Sequence, residues 1–177
     1  MPSLGRALRR GLDGLYFAGA ILSGGFLVIL LILVVLQMAA RWFGFTFPGS
    51  AQYAGYAMAA ASFLAFAHTL NRGAHIRVSL LLTRLGRYRW HGEVWCFALG
   101  TALTCYLAWY AVRAVSWSYK LGDVSQGQDA TPIWIPQLAM AAGAILLAIA
   151  FIDHLVRLLM FGAHGIQAES VEQSHAE

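Results

Sequence analysis

Two histidines, His68 and His154, are the side chains of this sequence whose type and position best suit cofactor chemistry. Each lies near the end of a long apolar segment, and paired imidazoles on facing membrane helices are one way in which proteins ligate haem iron. This placement leaves open a haem-binding membrane anchor subunit of a redox enzyme. The alternative is that both histidines are polar residues at the membrane interface and bind nothing.

Acidic residues, which proton-transfer chemistry needs, are missing from the middle of the apolar segments. Asp13, Glu93 and Asp153 fall near segment ends, whereas a charge at mid-bilayer is costly and usually marks a functional site. The sequence also shows no nucleophile paired with a base, no cluster of metal ligands and no phosphate-binding loop. We therefore predict that the chain is not an enzyme, with no catalytic residue, no metal and no cofactor. A self-sufficient proton-coupled carrier and a small drug exporter are disfavoured because both need a carboxylate within a span.

The elements that position these residues are four long apolar segments. Hydrophobic residues make up 59% of the 177-residue chain and charged residues 11%, against roughly 45–50% and about 25% in soluble domains. The blocks lie at about 15–43, 51–70, 94–117 and 133–160, and a membrane-spanning helix needs about 20 such residues. We predict an all-α membrane protein with a single four-helix transmembrane domain over 15–161, a cytoplasmic N-terminal segment over 1–14, and a disordered cytoplasmic tail over 162–177.

A basic stretch follows the second block and becomes a short amphipathic pattern at about 76–87. Its apolar residues, from Val78 to Leu85, repeat at helical spacing, and most of its arginines fall on the other side. A helix of this length is too short to cross a bilayer, and its two unlike faces suit the headgroup plane. We predict an in-plane helix between the second and third spans.

Basic residues are distributed unequally between the two sides that four spans define. Because cytoplasmic loops carry the excess of lysine and arginine, the richer side, which includes both termini, is expected in the cytoplasm. Anionic phospholipid headgroups, rather than nucleic acid, are the expected partners of these charges. The richer side holds Arg6, Arg9, Arg10, Arg72, Arg77, Arg84, Arg87, Arg89 and Arg157, and the other side holds Arg41, Arg113 and Lys120.

Small residues recur at four-residue spacing in the first two spans. Gly19 and Ser23 form one row, Gly55 and Ala59 a second, and Ala61 belongs to a third. Such rows let helix backbones approach closely inside a membrane bundle. We predict that these five residues pack helix against helix, and the alternative for the second span is an alanine-rich helix that faces lipid.

The order of residues in the basic stretch resembles the signature of a known family. Residues 72–78 read RGAHIRV and are followed by Leu80 and Leu81. This segment, placed after the second of four spans, is similar to that of the small membrane subunit (the Q-type, DctQ-like subunit) of tripartite ATP-independent periplasmic (TRAP) transporters. Residues 36–37 (LQ) with Arg41, and residues 132–137 (PIWIPQ), support the resemblance. The chain departs from the family at Ser79 and at 50–53, where acidic residues are frequent.

The resemblance implies a non-catalytic subunit of a sodium-driven symport system. In this family a large multi-span subunit moves the substrate by an elevator-type motion, and a periplasmic binding protein delivers it, often a carboxylate or sulfonate. The small subunit packs against the large one and helps to dock the binding protein. The expected function is that of a scaffold subunit in a hetero-oligomer of the bacterial inner membrane that takes up an organic acid.

The resemblance also implies which residues make these contacts. Partner or headgroup contact is expected of the signature residues Arg72, Gly73, His75, Ile76 and Arg77. On the other side of the membrane, turn 44–50 and loop 118–132 are expected to receive the binding protein. The docking candidates there are Arg41, Phe47, Lys120 and Asp123.

Overall fold

Four α-helices account for most of the residues that the structure describes. This computed structural model describes residues 2–71 and 89–161, and it describes side chains at 10–71 and 90–160. The helices are α1 (Pro2–Trp42), α2 (Ser50–Asn71), α3 (Arg89–Leu121) and α4 (Trp134–Phe161). Within these residues no strand is present, although Val124 and Pro132 form an isolated antiparallel bridge. The all-helical prediction is confirmed for this part of the chain.

The helices pack in the order α1, α2, α4, α3, so that α2 and α4 are inner helices and α1 and α3 flank them. The contacts at Gly19 on Leu64, Gly143 on Phe63 and Gly100 on Phe151 fix the directions. Together with the connection of Gly49 to the α3–α4 loop, they make α2 and α4 parallel to each other and antiparallel to the flanking helices. One end therefore carries turn 43–49 and loop 122–133, and we call it the loop end. The opposite end, where α2 finishes and α3 begins, is the hinge end.

The contact between the two inner helices depends on small residues. A Cβ atom at Gly143 in α4 would lie 2.5 Å from the carbonyl carbon of Phe63 in α2, so any larger residue forces the helices apart. Around this point both helices bury mostly alanine, which lets their backbones approach. The buried residues are Ala57, Ala60, Ala61, Leu64, Ala67 and Leu70 in α2 and Ala141, Ala144, Ala148, Ala150 and Leu158 in α4.

The flanking helices instead carry large apolar side chains on exposed surfaces. Three helices, over Arg10–Trp42, Trp90–Leu121 and Trp134–Met160, are long and apolar enough to cross a membrane. Within the described segments α2 does not reach that level, because its composition is dominated by alanine and by polar residues such as Gln52. Most apolar side chains of these helices face outward, as expected where the surroundings are themselves apolar.

Helix bounds differ from the predicted spans mainly at polar ends. The helices α3 and α4 begin and end within five residues of the predicted limits, and α1 continues to Pro2 through the predicted N-terminal segment. A helix does not stop where the hydrocarbon stops, since its backbone hydrogen bonds are internal. The predicted in-plane helix at about 76–87 and the tail at 162–177 lie outside the described residues.

Candidate docking surface at the loop end

Loop 122–133 between α3 and α4 is closed by its own backbone. Ser125 N donates to Thr131 O at 2.8 Å, and Ile133 N donates to Asp123 O at 3.0 Å. Inside the loop, Gly127 N donates to Ser125 Oγ at 3.2 Å. These bonds pair the two arms of the loop and satisfy donors that an open loop would leave to water.

Side chains of α2 tie this loop to the first turns of the helix. The hydroxyl oxygen of Tyr56 lies 2.9 Å from Ser125 Oγ and 3.0 Å from Asp129 Oδ2. A phenol has one proton, so Tyr56 donates to the Asp129 carboxylate and lies beside the Ser125 hydroxyl, which donates to the same carboxylate. One turn earlier, the hydroxyl oxygens of Thr131 and Tyr53 are joined by a hydrogen bond of 3.2 Å. The loop is thus fixed to α2 at two levels.

Asp129 is the acceptor at the centre of this arrangement. Its partial burial raises the pKa of the carboxyl, but hydrogen bonds from Ser125, Thr131 and Tyr56 outweigh burial and hold that pKa below its usual value. A hydrogen bond to the charged form favours that form. The carboxylate is therefore ionised at neutral pH and remains the acceptor for Tyr56.

Turn 43–49, which joins α1 to α2, packs on the same loop. Gly49 has φ of +80°, and a Cβ there would lie 3.0 Å from the Cβ of Asp129. Gly127 is similarly close to the Gln52 side chain, where a Cβ would lie 2.7 Å from Cγ. Two glycines therefore allow the turn, the loop and α2 to meet, and together they form one preorganised surface.

The docking candidates predicted from the sequence all lie exposed at this end. Arg41 is in the last turn of α1, Phe47 in turn 43–49, Lys120 in the last turn of α3 and Asp123 in the loop. Phe45, which the sequence analysis did not single out, is 73% exposed on the same turn. An aromatic residue displayed by a turn that packs on a hydrogen-bonded loop suits protein contact, where aromatic anchors dominate binding energy.

The hinge end differs, because its polar side chains are inside the helix packing. Glu93 is 7% exposed and His154 is 0% exposed. Nearby, Arg157 Nε donates to Asp153 Oδ1 at 3.0 Å, and Arg157 Nη2 lies 2.6 Å from Asp153 Oδ2. Glu93 and Asp153 were predicted to lie near segment ends, and the burial of Glu93 was not predicted because a position near a helix end gives no sign of which face a residue occupies.

The two histidines considered for haem have unequal surroundings. His154 is enclosed, and its ring centroid lies 6.0 Å from that of Phe97 in α3. His68 lies half-buried on α2. Among the side chains described, no group of three or more metal-ligating residues occurs. Protein atoms already fill the space around His154, so the residues as placed do not fit a haem between them.

The predicted packing residues separate into two groups. Gly19 of α1 lies against the backbone of α2, and Ser23 Oγ of α1 donates to Ala61 O of α2 at 2.8 Å. Gly19, Ser23 and Ala61 therefore join α1 to α2. Ala59 is half-buried, whereas Gly55 is exposed with no atom within 4 Å of its Cβ position. The signature residues Arg72, Gly73, His75, Ile76 and Arg77 lie outside the described residues.

The family model for "Tripartite ATP-independent periplasmic transporters, DctQ component" matches residues 30–161. The match extends from the middle of α1 to the end of α4 and so covers most of the chain. This chain belongs to the DctQ family. The resemblance drawn from the basic stretch is thereby confirmed. No curated protein matches the chain, and no solved structure matches it.

As a DctQ component, the chain is the small membrane subunit of a TRAP transporter. The family forms part of a transporter and is not an enzyme family, and its members act together with a large membrane subunit and a substrate-binding protein. Membership and the apolar helices together identify a multi-pass protein of the inner membrane. The loop-end surface and the flanking helices are thus the parts of a DctQ subunit to consider for partner contact.

Proposed function

We propose that this subunit braces the large transport subunit of a sodium-driven TRAP system and helps to dock its binding protein during uptake of an organic acid. The observation that carries this proposal is the division of the bundle into close-packed inner helices and exposed apolar flanking helices. A bundle whose interior is filled by small side chains has no room for a substrate path. Its apolar outer faces are free to pack against a second membrane protein.

The proposal requires rigidity at the centre of the bundle. The α2–α4 contact at Gly143 and Phe63 is too close for any intervening side chain, and Ser23 ties α1 to the backbone of α2. Packing of this kind resists deformation because interiors are dense and have few alternative arrangements. A subunit built in this way suits a fixed support beside a moving neighbour.

The loop end is proposed as the docking surface for the binding protein. Its turn and loop are held to α2 by the hydrogen bonds of Tyr56 and Tyr53, so little conformational entropy is lost when a partner binds. Phe45 and Phe47 supply apolar contact, and Arg41, Lys120 and Asp123 supply charges of both signs. A mixed rim around aromatic residues is typical of transient protein interfaces.

The proposed membrane arrangement has four crossings with both termini in the cytoplasm. α2 is not among the described helices that are apolar enough to cross a membrane unaided, but it lies between α1 and α4, which shield much of its surface from lipid. The excess of arginine on the hinge side supports the orientation. Residues 76–87 are proposed as an in-plane helix, and the signature residues from Arg72 to Arg77 as contacts to the large subunit or to headgroups.

Reconstitution tests the bracing role. The chain, the large subunit and both together are placed in proteoliposomes with the binding protein, and sodium-dependent uptake of an organic acid is measured. We expect uptake only when both membrane subunits are present. Uptake by this chain alone would refute the proposal.

The proposed contact of the basic stretch with the large subunit is tested by the double change Arg72→Glu and Arg77→Glu. We expect a lower yield of the complex with the large subunit, because two positive charges are reversed beside an anionic membrane surface. The matched control is Arg72→Lys with Arg77→Lys, which keeps both charges. An unchanged yield of complex with the glutamate variant would show that the basic stretch does not contact the large subunit.

Docking is tested by comparing Phe45→Ala with Phe17→Ala. Both phenylalanines are exposed, but Phe17 lies in α1 close to the hinge end. We expect only Phe45→Ala to weaken binding of the substrate-binding protein to the reconstituted complex. Equal affinities for the two variants would argue against a loop-end docking surface.

A further inference from the structure

One face of α3 carries aromatic and basic side chains in a regular stripe. Starting at Leu99, the stripe residues follow one another at spacings of three or four, which places them on one side of a helix. All are exposed, and Tyr106 is 63% exposed. The stripe residues are Leu99, Leu103, Tyr106, Tyr110, Arg113, Trp117 and Lys120.

Arg113 is the unusual member of this stripe. It lies within the apolar helix Trp90–Leu121, eight residues before the helix ends, which is about 12 Å along the axis. Within the described part of the chain, no carboxylate forms an ion pair with its guanidinium. A charge at this depth is costly unless it meets an opposite charge.

Among the residues that the structure describes, no acid forms an ion pair with Arg113. The acid of its own helix, Glu93, is twenty residues away, about 30 Å towards the hinge end. On α4, the helix that packs against α3, Asp153 is also at the hinge end and is paired with Arg157. At the loop end, Asp129 is bound by Tyr56, and Asp123 lies in the loop ten residues beyond Arg113 without an ion pair to its guanidinium. The counter-charge of Arg113 therefore has to come from a group other than these described acids.

The surroundings of Arg113 point to the level of the lipid headgroups. Trp117 lies one turn closer to the loop end, and tryptophan is enriched where the headgroups begin. Lys120 lies about 10 Å from Arg113 along the same face, and both side chains are long enough to reach an intermediate level. Guanidinium and ammonium groups are the side chains that bind phosphate oxygens.

We propose that this face of α3 binds the phosphate of an anionic phospholipid in the leaflet at the loop end. Arg113 and Lys120 hold the phosphate from below and above, and Trp117 packs beside the glycerol region. The rings of Tyr106 and Tyr110, whose centroids are 4.5 Å apart and whose planes are inclined at 46°, offer an aromatic surface to an acyl chain. The two cations outnumber the single exposed acid near them, Asp123, and so favour a lipid of net negative charge over a zwitterionic one.

A lipid phosphate fits this site better than a carboxylate on a neighbouring protein helix. The phosphate already lies at the interface, and Arg113 has only to extend towards it. A partner carboxylate opposite Arg113 would itself have to be buried in hydrocarbon, which adds a second desolvation cost.

Lipid retention by the purified complex of both membrane subunits tests the site. The complex is extracted from membranes, washed in detergent, and its bound phosphatidylglycerol and phosphatidylethanolamine are quantified by mass spectrometry. We expect Arg113→Gln to lower retained phosphatidylglycerol about fivefold, as for the loss of one cation at a membrane surface. Arg113→Lys should keep most of it. The matched control is Arg41→Gln, which removes an exposed arginine at the same end of the bundle but on α1.

Three outcomes would overturn the proposal. Equal phosphatidylglycerol retention by wild type and Arg113→Gln would show that the face holds no such lipid. Equal losses in Arg113→Gln and Arg41→Gln would show a general charge effect. A lower yield of complex with unchanged lipid content in Arg113→Gln would identify a partner carboxylate as the counter-charge. Helix content by circular dichroism, expected to match wild type, establishes that each variant is folded.

Discussion

The inner helices α2 and α4 and the flanking helices α1 and α3 differ in the size and exposure of their side chains. The inner pair buries mostly alanine and meets at a glycine, whereas the flanking pair displays leucine, isoleucine, tryptophan and tyrosine outward. Both pairs are hydrophobic, so total hydrophobicity does not distinguish them. The size of the residue at each position is what separates packing within the chain from contact with lipid or a partner.

Substitutions between the inner helices and substitutions on the exposed faces of the flanking helices should therefore have different consequences. A change in the inner contact alters the free energy of unfolding of the chain itself, because no space is available there. A change on an exposed surface does not lower that free energy through overpacking, and its main effect is on association. The following variants test this division, from the largest expected effect to the smallest.

Gly143→Ala should be the most destabilising of these changes. The added methyl group would overlap the backbone of Phe63, and overpacking of this kind costs about 1–3 kcal/mol. The matched control is Gly55→Ala on the exposed side of α2, where helix propensity predicts a gain of up to about 1 kcal/mol. Thermal unfolding of the purified chain in detergent measures both. Similar melting temperatures for the two variants would contradict the inner–outer distinction.

Tyr56→Phe should release loop 122–133 from α2. It removes the contacts of the Tyr56 hydroxyl to Ser125 and Asp129, which hold the loop to α2, while Ser125 and Thr131 still donate to the carboxylate. We expect faster amide hydrogen exchange in the loop and weaker binding of the substrate-binding protein. Tyr53→Phe, which loses one longer bond of 3.2 Å, should change both measurements less. The reverse order would show that Tyr56 does not anchor the loop.

Acidification should release the same loop. The pKa of Asp129 is lowered in the folded chain, so its ionised form contributes stability at neutral pH, which is lost as the pH falls below the ordinary carboxyl range near 4. Hydrogen exchange in loop 122–133 should therefore rise, relative to α2, only at strongly acidic pH. In Asp129→Asn this acid-induced increase should disappear, and its persistence would assign it to another group.

Ser23→Ala should produce the smallest of these effects. It removes the hydrogen bond to Ala61 O between α1 and α2, and such bonds between membrane helices contribute about 0.6 kcal/mol on average. The control is Ser62→Ala, because the Ser62 hydroxyl bonds to Met58 O of its own helix on the exposed side of α2. When the unfolding of the two single mutants is compared with wild type, the free energy of unfolding should fall for Ser23→Ala and not for Ser62→Ala.

The sequence was sufficient to predict the four helices and the family. Long apolar runs give helix positions, and the residue order at 72–78 indicated the family that the match over 30–161 confirms. Bounds were less accurate, because residues such as Arg89 and Ser118 continue a helix beyond its apolar part. An apolar run indicates which residues lie in lipid, but it does not indicate where the backbone hydrogen bonds of the helix end.

Contacts between distant segments could not be predicted. Gly100 and Gly143 are unremarkable until the residue opposite each is known, and Tyr56 and Asp129 are 73 residues apart. Rows of small residues are visible in the sequence of α1 and α2, yet spacing alone does not distinguish Ser23, which is buried, from Gly55, which is exposed. Which face of a helix is covered depends on the neighbouring helices.

The unequal lengths of the helices have a consequence for the membrane around them. α2 has 22 residues and extends about 33 Å, close to the hydrocarbon thickness of about 30 Å, whereas α1 has 41 residues and extends about 61 Å. A long helix adapts to a thicker bilayer by changing its tilt, but α2 is held between α1 and α4 and cannot tilt independently. In the proposed arrangement of four crossings, hydrophobic mismatch at α2 would therefore be met by tilting all four helices together or by locally thinning the bilayer.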